Sequence, residues 1–201
     1  MTATDGSAGA SGAAPILPNL FDGFVTRPTW QVAGVDYGVG VTPGVTLKKP
    51  TASNLPPGAS LQQGAGWQAI YIDGNNVNLS GYDLTNLTVM INADATGTVT
   101  ISNCGATSGV NIRSTVDAKA NLVIRNCSLD GGGMAADPNF QLIKVWCPVT
   151  LEYSFIADAP AAIYAGGGVA TIRYNVMEGF GQNQGTGLDK GHANAIYIAG
   201  G

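Results

Sequence analysis

Apolar and polar residues alternate in short bursts along most of this chain, and the bursts superimpose on one another. Five of them align in register: Asn76–Tyr82, Thr98–Cys104, Asn121–Cys127, Pro148–Ser154 and Val169–Asn175, with starts 22, 23, 27 and 21 residues apart. Each carries an apolar residue at every second position, the period of a strand with one buried face. Stacked, they predict an inward ladder of Leu79, Ile101, Ile124, Leu151 and Ile172. A second ladder beside it would hold Val77, Val99, Leu122, Val149 and Ala170. A further set of short strands lies between them, anchored on Ile70, Val89, Val110, Ile143, Ile163 and Ile196, at spacings of 19, 21, 33, 20 and 33. Two strand sets per turn of 20–23 residues, with no helical stretch, describe an all-β solenoid, a parallel β-helix.

The two spacings of 33 place insertions in the connection that follows the first strand set, over roughly 129–140 and 177–194. Both fall at one corner of the coil, on rungs separated by a short one. Extending the alignment past the strands puts Asp130 and Glu178 in one column, with Asp158 one position further along on the rung between. The loops add Asp137, Asp189, Lys190 and His192, the only histidine. Clustered carboxylates bind calcium, or divide into an acid and a base because like charges push their pKa values apart. A nearby Lys or His then moves the proton. Asp130, Asp158, Glu178, Lys190 and His192 are therefore the catalytic candidates. The plainer alternative is that these are turn residues which solvate well and bond local backbone. No metal site is expected, since there is no C-x-x-C pattern and only one His, and calcium at this corner stays open.

A second ladder on the coil surface reads Ser102, Arg125, Glu152, Arg173, with Tyr153 and Tyr174 stacked one column on. Tyr71, Tyr164 and Tyr197 recur in the other strand set. Arg125, Arg173, Tyr174 and Asp189 are the candidates for gripping a polysaccharide, since guanidinium groups pair with acidic sugars and aromatic faces stack on sugar rings. Self-satisfied charge pairs and half-buried packing are the competing reading for the same residues.

Composition sharpens this picture. Charged residues are only 11% of the 201, and the 29 glycines suit tight turns. A net charge of -4 argues against nucleic acid, which requires clustered Lys and Arg, while a local basic ladder keeps acidic sugars open. No apolar run is long enough to span a membrane. Residues 1–14 have no basic n-region or apolar h-region, so no Sec signal is read in them. Residues 1–27, rich in Ala, Gly and Ser at their start, read as a flexible or partner-held arm. Residues 28–66 read as a cap, in which Trp30, Val32, Val35, Tyr37, Val39 and Val41 would cover the first rung, and 67–201 form the coil. The last residues, Ala195–Gly201, stop in the middle of a rung and suggest a longer protein. Cys104 and Cys127 share a column on adjacent rungs and are expected as buried thiols rather than a bridge; Cys147 has no partner. Neither a P-loop, a nucleophile elbow nor a zinc-protease motif occurs.

The rung pattern V-T-I-x-N-x, at Val99–Cys104 and Leu122–Cys127, resembles that of the right-handed parallel β-helix superfamily of pectate-lyase-like enzymes, alginate-modifying epimerases and lyases, and phage tailspikes. The resemblance covers residues 67–201. Pro28–Tyr37 is similar to the opening segment of β-helix proteins in bacterial and prophage-like sequences. The Arg- or Lys-centred signatures of the best-known lyases are missing, so the resemblance carries no residues beyond Asp130, Asp158, Glu178 and Lys190. It implies two functions, beside the plainer possibility of a scaffold or adhesin with no active site. One is a virion component, a tailspike or fibre that docks to other subunits through residues 1–66, in a homotrimer as tailspikes usually are, and faces bacterial polysaccharide. The other is an exported lyase or epimerase acting on an acidic polysaccharide. Its place would be the virion or the extracellular space.

Overall fold

The structure is a computed structural model, and it describes residues 37–132, 141–180 and 195–199. Every described strand from the second onward belongs to one climbing coil. The strands are β1 (Ala59–Gly64), β2 (Trp67–Ile72), β3 (Asn78–Ser80), β4 (Thr88–Ile91), β5 (Thr98–Ser102), β6 (Gly105–Ala106), β7 (Asn111–Ser114) and β8 (Asn121–Arg125). They continue as β9 (Ser128–Asp130), β10 (Gln141–Val145), β11 (Val149–Glu152), β12 (Phe155–Ala157), β13 (Ala161–Ala165), β14 (Ala170–Arg173), β15 (Val176–Glu178) and β16 (Ile196–Ile198). A first sheet runs β1-β2-β4-β7-β10-β13-β16, a second β14-β11-β8-β5-β3, and a third β15-β12-β9-β6. All pairings are parallel except that of β1 with β2. Four full turns, β4–β6, β7–β9, β10–β12 and β13–β15, therefore follow a first rung made by β2 and β3. The fold is a parallel β-helix.

The expected ladder is present. Leu79, Ile101, Ile124, Leu151 and Ile172 are paired rung to rung, and all but Ile172 are fully buried. Each buried Ile or Leu contributes roughly 1.5–3 kcal/mol relative to exposure, so these files are the main source of stability. Two features differ from the expectation. Each turn has three strands, not two, because β6, β9, β12 and β15 form a face of their own with Ala106, Leu129, Ile156 and Met177 turned inward. In addition, Val89 pairs with Ile112 rather than Val110, a slip of two residues. Val110 and Ile112 are both wholly buried, and alternation alone does not distinguish positions two apart.

The corner between the second and third sheets needs a sharp bend, made by a residue in the left-handed region. That residue is Asn103 (φ 50°), Asn126 (51°), Tyr153 (51°) or Tyr174 (59°) on successive rungs. Asn adopts this conformation more readily than other non-Gly residues; Tyr pays roughly 1–2 kcal/mol for it. The residue that follows braces the bend. The Cys104 and Cys127 thiols lie 3.4 and 3.3 Å from the carbonyl oxygens of Ser102 and Arg125, two residues back. The Ser154 hydroxyl donates to the Glu152 carbonyl (3.0 Å), and the Asn175 amide donates to that of Arg173 (2.8 Å). One interior column thus holds thiol, thiol, hydroxyl and amide in the same role. The two cysteines are free and buried, as is Cys147.

Residues 37–48 do not lie where the first-rung cap was expected, although later residues of the same 28–66 segment do. Residues 37–48 run along the outside of the second-to-third-sheet corner, crossing the rungs. The Gly40 N–H donates to Tyr153 O (2.9 Å), Val41 N–H to Ser128 Oγ (3.0 Å), Thr42 N–H to Asn103 Oδ1 (3.1 Å) and Lys48 N–H to Gly81 O (2.9 Å). Val39 and Val41 are buried against the coil side. They are apolar because they seal a corner, not an end. The first rung is instead packed by Leu55, Ala59 and Leu61, with the Tyr82 hydroxyl donating to the Asn54 carbonyl. Trp30, Val32 and Val35 lie outside the described residues.

Candidate functional site

The third sheet brings the acidic candidates together as expected in register. Asp130 and Glu178 both pair with Ala157, on either side of it, and Asp158 follows at the next corner in a left-handed conformation (φ 50°). The Asp158 N–H donates to Glu178 O (3.2 Å), and Gly131 N–H to Ala157 O (2.9 Å). Asp130 Oδ1 accepts from the Gly132 N–H at 2.6 Å. Burial raises the Asp130 pKa above the usual carboxylate value of 3.8, the Gly132 bond opposes this, and the Asp158 charge adds to the rise. The Asp158 carboxylate lies over Gly179, where a Cβ would sit 2.2 Å from Oδ1. Among the described residues, no three acidic, His or Cys side chains are grouped to hold a metal ion. Asp137, Asp189, Lys190 and His192 lie outside the described residues. Both long connections, β9 to β10 and β15 to β16, leave this edge, while β12 to β13 is short.

The charged ladder on the second sheet is also in register: Ser102, Arg125, Glu152 and Arg173. Arg173 is tied down, with Nε and a terminal nitrogen each 3.0 Å from Glu152 Oε2, and the Glu152 hydrogen bond, with its charge, raises the Arg173 pKa. Arg173 also lies over the Tyr174 ring at 5.4 Å. Tyr174 stacks on Tyr153 with centroids 5.1 Å apart, and Tyr37 meets both edge-on, at 5.8 and 6.1 Å. Arg173 and Tyr174 thus spend their contacts within the chain. Arg125 is exposed and takes no part in the Glu152 pair.

A richer surface lies on the outer face of the first sheet. Tyr71, Met90, Arg113, Lys144, Tyr164 and Tyr197 occupy one outward column over six successive rungs. With rungs about 4.8 Å apart, the column is roughly 24 Å long. Tyr164 and Tyr197 stack at 5.1 Å and 11°, Trp146 meets Tyr164 edge-on at 5.3 Å, and Lys144 Nζ is 5.6 Å from the Tyr164 centroid. Trp146 reaches this position because the next rung has no side chain beneath it. A Cβ on Gly166 would lie 2.4 Å from the indole, and one on Gly167 2.1 Å from the Trp146 carbonyl oxygen. The recurring tyrosines were visible in the sequence, whereas Arg113, Lys144 and Trp146 were not singled out. The available signal was that Lys144 follows Ile143 as Tyr164 follows Ile163.

Chemically, the column offers aromatic faces, a thioether and two cations on a rigid, nearly straight track. Groups of these kinds stack on apolar ring faces and pair with negative charges. No family model, curated protein or solved structure matches the chain.

Proposed function

We propose that this chain is a β-helix of tailspike or fibre type, which attaches through its N-terminal residues to a virion or similar assembly and presents its coil to bacterial surface polysaccharide. The observation that carries the reading is the outward column of Tyr71, Met90, Arg113, Lys144, Tyr164 and Tyr197 flanked by Trp146. A polysaccharide lying along the coil axis crosses one rung after another and meets an aromatic or cationic side chain on most of them. Affinity electrophoresis of the full chain through gels containing bacterial capsular or lipopolysaccharide glycans tests this. Retardation is expected with at least one glycan, lost in Trp146→Ala and Tyr164→Ala; unretarded migration in every glycan removes the binding part. Mass and composition of the native assembly test the rest. A homotrimer within a particle is the expected form, and recovery only as a free monomer removes the virion part.

A second reading is a lyase or epimerase on an acidic polysaccharide, located in the extracellular space. It is favoured by Asp130, whose proton is held more tightly than usual beside Asp158, at the edge from which the loop carrying Lys190 and His192 departs. Such an enzyme generates unsaturated uronates or inverts a uronate, with calcium as the cation to supply. Appearance of the unsaturated product, abolished in Asp130→Asn, would favour it over the display reading.

A further inference from the structure

We propose that residues 37–48 are a longitudinal clamp that makes the coil open as one unit instead of rung by rung. In a solenoid each repeat touches only its neighbours, so terminal rungs open independently of distant ones. This segment departs from that rule. It touches each rung in turn: Lys48 the first at Gly81, Thr42 the second at Asn103, Val41 the third at Ser128, Gly40 the fourth at Tyr153, and Tyr37 the fifth at Tyr174. The coil is shaped to receive it. Gly105 has no side chain where a Cβ would lie 2.6 Å from Leu47 Cδ1, and Gly40 bends in the left-handed region at φ 86°. On the two rungs that Tyr37 reaches, the corner residue is Tyr rather than Asn, a costly choice for that backbone which supplies the rings that Tyr37 meets. The segment ties the fifth rung to the first, which do not touch each other, so releasing Tyr37 frees the far rung to open independently of the rest.

Native-state hydrogen exchange on the full chain, read by mass spectrometry, tests the clamp. Tyr37→Ala removes two ring contacts and is expected to speed exchange in residues 170–178 by roughly tenfold, with residues 88–114 unchanged. Unchanged exchange in 170–178, or an equal acceleration on every rung, overturns the proposal. A cycle at the other end guards against a variant that fails to fold. Gly105→Ala is expected to accelerate exchange of the Gly40 and Thr42 amides, and Leu47→Ala in the same chain to cancel most of that effect by making room. Purely additive effects in the cycle overturn the fit between segment and corner on which the clamp depends.

Discussion

Asn126 shows how much of this molecule rests on single backbone angles. Its φ of 51° is tolerable for Asn and strained for most other residues. Asn126→Ala is therefore expected to cost about 1 kcal/mol in urea unfolding, and Asn126→Gly only a few tenths, because Gly adopts the same angle freely. One position on, Cys127 can be read from its column mates: Ser154 and Asn175 do the same bracing with harder donors. Cys127→Ser should stay within about 1 kcal/mol, while Cys127→Val, of similar bulk but with no donor, should lose about 1–3 kcal/mol. Asp130 makes a pH prediction. Its folded pKa lies above the ordinary value of 3.8, so the folded chain holds this proton more tightly than the unfolded one. Its contribution to stability is complete below the unfolded value and lost as pH rises through the folded one. Asp130→Asn keeps the acceptor for Gly132, and so should be more stable than the parent at neutral pH and indistinguishable from it in stronger acid.

Among the elements, the second sheet was the most legible from the sequence, and the reason is physical. Strands of four or five residues, such as β5 and β8, show two inward and two or three outward positions, enough for alternation to be recognised and aligned. The third sheet was not seen as a sheet, because strands of two or three residues such as β6 and β9 offer one inward side chain each. Its acidic column was still placed correctly, because counting residues from the neighbouring ladder needs no knowledge of the strand. The register slip at Val110 arose where two buried aliphatic residues sit two apart. Arg125 and Arg173 were legible as a ladder with Glu152, although only geometry shows that Arg173 alone is engaged. Gly166 belongs to this scale too. Gly166→Ala forces Trp146 off the Tyr164 ring without touching the inward ladders, and should weaken glycan retention roughly tenfold while leaving the unfolding midpoint nearly unchanged.

For the whole molecule, periodicity was enough to recognise the coil and silent about the segment that binds its side. Residues 37–48 repeat nothing, and their buried Val39 and Val41 were assigned to an end because apolar residues outside a solenoid usually close one. Their actual path has a consequence for orientation. The backbone reaches Tyr37 beside Tyr153 and Tyr174, the corner residues that follow β11 and β14, descends to the level of β3, and only then begins to wind upward. An anchor gripping the polypeptide ahead of Tyr37 would hold the molecule by its upper storeys, β10 to β15. The β1–β2 hairpin, where the winding starts, would then be the far end of the described coil, and a glycan approaching along that coil from that end would meet Tyr71 before Tyr164.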